Sequence, residues 1–200
     1  MTDQLSLFDL PLAPRKALPE GFRYRANLIT PDEQQDLVAL FAPLPFKPYE
    51  HQGYLGNRRV AAFGWRRGDD GAMVETGEGV PDFLQPLLAK VAAFTDLPVR
   101  SFRHALVTEY APGAGIGWHR DRPPAVAIAG VSLLSPCAFR LRRRNGDGWD
   151  RALISAEARS AYLMSGPSRS AWQHSIPPVE ALRYSVTFRT VEAGPKPPTG

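Results

Sequence analysis

Two histidines and an aspartate in this chain are spaced so that they can share a metal ion: His119-Arg120-Asp121, then His174. Two imidazoles and one carboxylate make the facial set that holds non-haem Fe(II) and leaves its other coordination positions open. In an extended strand the side chains at i and i+2 leave the same face, so His119 and Asp121 can converge on one ion. Nine residues after His174 begins Arg183-Tyr184-Ser185-Val186-Thr187-Phe188-Arg189. Its two arginines are six apart, so a regular strand turns both to one side, where a planar guanidinium can fork onto a carboxylate. The expected chemistry is an iron site with a clamp for an anionic ligand beside it. A solitary His-x-Asp can equally be a hydrogen-bonded histidine, but the chain has four histidines and two of them fall in this pattern.

The elements that must position these groups are legible in outline. Two hundred residues, 44% of them hydrophobic, suffice for one sizeable core and argue against a second full domain. Residues 1–20 and 193–200 are expected to be tails, leaving one domain over 21–192. Phe22–Ile29 alternates like a strand. Thr30-Pro31-Asp32-Glu33 then predicts a helix start, with Thr as N-cap, Pro at the first position and Glu closing a capping box. A second helix is expected from Pro81, carrying Phe83, Leu84, Leu87, Leu88, Val91 and Phe94. After residue 100 the period becomes two, with strands expected near 101–110, 125–134, 138–143, 151–155, 159–164, 171–176 and 182–191. Helices followed by short strands indicate an α+β fold with an antiparallel barrel or jelly roll.

A net charge of +4 and a pI near 9.5 admit an acidic partner such as nucleic acid without requiring one. The single cysteine, Cys137, sits in an apolar run and reads as a packed thiol; it permits no intramolecular disulfide and suits a reducing compartment. No secretory signal and no apolar run of about 20 residues is visible, so the protein is expected in the cytoplasm, off the membrane and monomeric.

Three motifs carry a resemblance. Tyr110-Ala-Pro-Gly113 precedes His119-x-Asp121, His174-Ser-Ile-Pro177 follows Gly166-Pro-Ser-Arg169, and Arg183-Tyr-Ser-Val-Thr-Phe-Arg189 ends the series. Together they resemble the AlkB family of Fe(II)/2-oxoglutarate dioxygenases over roughly residues 20–190. The resemblance implies a double-stranded β-helix (jelly roll) with supporting N-terminal helices and a substrate lid. It implies His119, Asp121 and His174 as iron ligands, Arg183 on the far carboxylate of 2-oxoglutarate, and Arg189 near its metal-bound end. Tyr110 is similar to a tyrosine that donates to the cosubstrate; the other reading is a barrel-core aromatic. Thr108 and Ser185 stand where base-repair members often carry Asn, and both can still bind the cosubstrate by hydrogen bonds. Pro123 stands where one branch has an acidic residue on the base, which points to different substrate selection, since proline offers no side-chain acceptor.

The implied reaction is oxidative dealkylation. Decarboxylation of 2-oxoglutarate to succinate and CO2 accompanies hydroxylation of a carbon on nitrogen by O2, and collapse of the hemiaminal releases formaldehyde. The stretch His51–Arg67 interleaves Tyr54, Arg58, Trp65 and Arg66 with other basic and aromatic residues, a composition suited to phosphates and bases. In the resembled family this region forms the lid; an ordinary edge strand is the competing reading. Arg140, Arg142, Arg143 and Arg144 form a second basic run, which a solvated strand end explains nearly as well.

Gln4-Leu5-Ser6-Leu7-Phe8 resembles the pentapeptide with which bacterial replication and repair proteins dock on the sliding clamp. The expected function is therefore dealkylation of N-alkylated bases in DNA, with RNA as a further substrate, in repair of alkylation damage. The competing readings are the same chemistry on tRNA or a protein side chain, and a non-catalytic nucleic-acid or clamp-binding module.

Overall fold

The computed structural model describes residues 17–51, 54–67, 73–75, 79–121 and 125–191. The clamp-like peptide with Gln4, Leu5, Leu7 and Phe8, both predicted tails in the main, and Pro123 lie outside them. So do the side chains of Tyr54, Trp65 and Arg66.

The chain opens with strand β1 (Phe22–Arg25), shorter than its alternation suggests because Asn27 turns the backbone into the left-handed region. Helix α1 (Pro31–Phe41) starts as its cap sequence requires. The Thr30 hydroxyl accepts from the Glu33 N–H at 3.2 Å, and the Glu33 carboxylate accepts from the Thr30 N–H at 2.8 Å. Such a cap stabilises by about 1 kcal/mol. Strands β2 (Lys47–His51), β3 (Tyr54–Arg67) and β4 (Met73–Glu75) follow. A short 3-10 turn over Asp82–Leu84 then leads into helix α2 (Gln85–Thr95), so the second helix begins in a tighter turn than its periodicity implies.

Eight further strands complete the fold: β5 (Phe102–Tyr110), β6 (Ile116–His119), β7 (Ala125–Leu133), β8 (Cys137–Asn145), β9 (Gly148–Ala156), β10 (Ala161–Met164), β11 (Gln173–Ile176) and β12 (Arg183–Val191). A one-turn helix α3 (Gly166–Ser170) sits before β11. The strands form two antiparallel sheets. The large one runs β1-β10-β7-β12-β5-β3-β2 with β4 beside β3, and the small one runs β6-β11-β8-β9. Two facing antiparallel sheets with helices on one side are the jelly-roll arrangement expected from the sequence.

Alternation along β12 sorts the two faces of the large sheet. Tyr184, Val186 and Phe188 join Leu133, Val131 and Ala129 of β7 and Val107 and Ala105 of β5 in one apolar core with α1 and α2. Arg183, Ser185, Thr187 and Arg189 point the other way, toward the small sheet. There a second core, with Phe22, Phe139, Leu141, Tyr162, Met164 and Ile176, closes the space between the sheets. Gly130 is required at that face: a Cβ there would come within 2.3 Å of the Tyr162 ring. The helices thus anchor one face, and the other is left to chemistry. Among the described residues no helix is long and apolar enough to cross a membrane.

Candidate metal centre

Strands β6 and β11 place the two imidazoles side by side. His174 is the direct antiparallel partner of His119, and their ring centroids are 4.2 Å apart. The strand argument for His119 and Asp121 needs correction, because β6 stops at His119 and Asp121 lies in the segment after it. Convergence comes instead from Arg189 on β12, whose Nη2 donates to the Asp121 carboxylate at 3.0 Å. The ligand atoms of His119, Asp121 and His174 lie within 4.8 Å of one another.

The donor states suit a metal. His119 Nδ1 is 2.9 Å from the Gly117 carbonyl, which can only accept, so Nδ1 is the donor and Nε2 is the nitrogen left to face a metal. Burial, reinforced by His119, pushes His174 down to about 4 and keeps it neutral. Its Nε2 faces Asp121 at 3.4 Å and its ring lies parallel to Phe139. Burial alone would raise Asp121, but Arg189 and the two imidazoles outweigh it and hold the carboxyl well below its usual range. Two imidazole nitrogens and an ionised carboxylate fit a divalent cation of intermediate hardness.

The anion clamp is equally specific. Arg183 is 1% exposed, donates through Nε to Ser132 Oγ at 3.1 Å, and stacks 4.7 Å from the Tyr110 ring centre. Its Nη1 is buried without a hydrogen-bond partner. A guanidinium so enclosed leaves an uncompensated charge that a bound carboxylate would satisfy. Tyr110 pairs with Arg183 across β5 and β12, and Thr108 pairs with Ser185 one step further in, both buried on the same face. All four predicted cosubstrate residues besides Arg189 therefore line one wall. Arg189 itself is committed to Asp121.

His104 was not singled out by sequence. It pairs with Arg189 in register, and its Nδ1 lies 3.3 Å from Arg189 Nη1. Burial, then the Arg189 charge, pushes it down to about 3, so the neutral ring accepts from the guanidinium and steers its other arm toward Asp121. A lone histidine in an apolar strand carries no signal for this role; only the strand register exposes it.

Of the predicted substrate residues, Arg58 alone has a described side chain. It stacks 3.7 Å over Tyr49 and is the β3 partner of Tyr110, at the rim of the same wall. Strand β2 is the edge of the large sheet here; β3 is paired on both sides, with β5 on one and with β2 and β4 on the other, so the edge-strand reading does not describe the β3 backbone that carries Arg58. A cavity of about 730 Å³ opens beside Asp121, lined by Arg120, Arg169, Gln173 and Val126 among others.

Residues 21–189 match the 2OG-Fe(II) oxygenase superfamily. The Alkylated DNA repair protein ALKBH8 homolog of Arabidopsis thaliana is 30% identical over 171 residues, 73% of this chain, and the chain spans 47% of that relative's length. The solved structure of OsALKBH1 superposes with a TM-score of 0.64 at 18% identity, over 88% of this chain and all of that one. A Pseudomonas putida prolyl-4-hydroxylase reaches 0.59 at 16% identity, over 87% of this chain and 94% of that one. The two structural likenesses speak to the fold alone.

Proposed function

Because the chain belongs to the 2OG-Fe(II) oxygenase superfamily, we propose that it dealkylates N-alkylated nucleobases oxidatively, in DNA first and in RNA second, as a repair activity. The enzyme is an AlkB-like dioxygenase that uses Fe(II), 2-oxoglutarate and O2. The observation that carries the nucleic-acid reading is the cavity beside Asp121, whose Arg120 and Arg169 suit an anionic chain better than a neutral peptide. The repair protein named among the relatives supports it.

His119, Asp121 and His174 would hold the iron. When bound, Fe(II) with 2-oxoglutarate and O2 supplies decarboxylation of the cosubstrate to succinate, coupled to hydroxylation of a C–H bond on the alkyl group. The protein's part is positional. Arg183, stacked on Tyr110 and fixed by Ser132, receives the far carboxylate of 2-oxoglutarate. Arg189 and His104 keep Asp121 ionised and aimed. Burial of Arg183, Thr108 and Ser185 keeps water from the cosubstrate wall. Arg58, across from Tyr110 at the rim of that wall, would meet a flipped base entering from the β3 side. After hydroxylation the hemiaminal breaks its C–N bond, releasing formaldehyde and the restored base.

The test is formaldehyde release from methylated DNA, RNA and tRNA oligonucleotides, comparing the wild type with His119→Ala. Release from methylated DNA that the substitution abolishes is the expected result. Succinate formation with no oligonucleotide demethylated would remove the nucleic-acid reading and leave the oxygenase. The cytoplasm remains the proposed location, and the sliding clamp a proposed partner through Gln4, Leu5, Leu7 and Phe8. Deletion of residues 1–10 should abolish clamp binding and leave turnover on a short oligonucleotide intact; unchanged clamp binding would refute that partner.

A further inference from the structure

The back of the small sheet carries a ladder of arginines and tryptophans that the metal centre does not use. Strand alternation splits the basic run on β8. Arg143 turns to one side and pairs with Asp150 at 2.8 Å, whereas Arg140, Arg142 and Arg144 turn to the other. Register sets Arg151 of β9 directly across from Arg142, Trp149 across from Arg144, and Leu153 across from Arg140. Trp118 of β6 lies on this outer face, since its neighbour His119 points inward.

Stacking links the row. Arg142 lies 4.3 Å from the Trp118 ring centre and 4.4 Å from that of Trp149; Arg140 lies 5.4 Å from Trp118, and Arg144 5.0 Å from Trp149. Neutral acceptors hold two of these guanidiniums through Nε: Gln173 takes Arg142 at 2.8 Å and Ser175 takes Arg140 at 3.1 Å. Among the described residues, no carboxylate forms a salt bridge with Arg140, Arg142, Arg144 or Arg151. Like charges directly opposite on neighbouring strands destabilise a sheet, so a row of this kind lacks its counter-charge.

The row opens onto a groove of about 1030 Å³ shared by Trp118, Arg140 and Arg151 with Tyr24, Leu153 and Ile154. Leu153 is 65% exposed on its wall. Cations spaced along a strand, flat rings between them and an apolar trough beside them match a single-stranded nucleic acid, whose phosphates meet the arginines and whose bases meet the rings. Stacking occupies the guanidinium faces and leaves their in-plane donors for phosphate oxygens.

We propose that the outer face of β8 and β9, with Trp118, is a second docking surface for the nucleic-acid strand, on the opposite side of the sheet from the metal ligands. It rests on the nucleic-acid reading of the active site and extends it from a base to a strand. Its test is binding of an unmodified, labelled oligothymidylate by the full-length protein, so that docking and dealkylation can fail separately.

The wild type should bind with a marked salt dependence. Arg142→Glu/Arg151→Glu should bind about tenfold more weakly or worse at low salt, with the slope of log affinity against log salt shallower by about 0.7 per lost phosphate contact. Trp149→Ala, which keeps every charge, should weaken binding about fivefold or more and leave the slope unchanged. Succinate formation without nucleic acid should match wild type in both variants, which shows that they fold and load iron. Wild-type affinity and slope in the charge-reversed variant would overturn the proposal. So would poly-glutamate binding as tightly as the oligonucleotide, which would make the partner an acidic protein.

Discussion

Two groups of arginines lie on either side of the small sheet, and they use one side chain in opposite ways. Inside, Arg183 is 1% exposed and Arg189 is held between Asp121 and His104. Outside, Arg140, Arg142 and Arg144 rest on tryptophan rings, and Arg151 lies across from Arg142 on the same solvated face. In the interior a single guanidinium has great leverage, because an unmet charge there costs several kcal/mol. On the surface water and salt screen each charge, and only a row of them has an effect. Burial, rather than residue type, therefore ranks what substitutions should do.

The largest effect is expected at the carboxylate that the interior group serves. Asp121→Ala removes one of the three proposed iron ligands together with the carboxylate that Arg189 holds. Succinate formation should fall to background, and the Fe(II)-dependent absorbance with 2-oxoglutarate under anaerobic conditions should vanish. Turnover near wild type would mean that Asp121 is only the ion-pair partner of Arg189.

Arg183 should come next, and it separates binding from folding. Arg183→Met should raise the KM for 2-oxoglutarate on the order of a hundredfold, since truncating one partner of a buried charge pair costs about 2–5 kcal/mol. The same substitution replaces a buried cation lacking one partner by an apolar chain, so the protein without cosubstrate should melt no lower than wild type. Addition of 2-oxoglutarate should then no longer raise the Tm. A large Tm loss with an unchanged KM would make Arg183 a structural residue.

How much of this was legible follows the range of the interactions. Thr30 and Glu33 announce their helix because both partners of the cap lie within three residues. Arg183, Ser185 and Arg189 share a face because a strand has period two, and that rule needs no partner. Asp121 defied the same rule because β6 ends two residues before it, and a contact across 68 residues, to Arg189, brings it back. His104 gave no local signal, since its role exists only through the register of β5 with β12. The basic run on β8 was ambiguous for a related reason: Asp150 and Arg151, which give one arginine a partner and another a rival, sit across a hairpin.

His104 tests the interior one layer further from the metal. His104→Leu should weaken Fe(II) binding by less than the roughly 10- to 100-fold that loss of a direct partner of a metal ligand costs, because Arg189 stands between them, with little change in the KM for 2-oxoglutarate. It should also alter acid stability. The folded ring titrates at about 3, against an ordinary value of 6.5, so the unfolded chain binds the extra proton between those limits. Wild-type stability is then full above 6.5 and falls as the pH drops toward 3, by about 1.4 kcal/mol per unit for this group. The leucine variant without iron should lose that share of the slope. An identical acid profile would show that Arg189 does not depend on a neutral His104.

The smallest effect falls on the outer face, where its sign is the informative part. Arg151 stands directly opposite Arg142, and among the described residues no carboxylate forms a salt bridge with either. Arg151→Ala should therefore raise the Tm slightly, by a few tenths of a kcal/mol in stability at low salt, and the gain should fade as salt screens the repulsion. The same change should weaken oligonucleotide binding. A substitution that strengthens the fold while weakening a ligand identifies a charge kept for the ligand. If Arg151→Ala instead lowers the Tm at every salt concentration, Arg151 packs as part of the sheet, and the contrast between the two arginine groups reduces to burial alone.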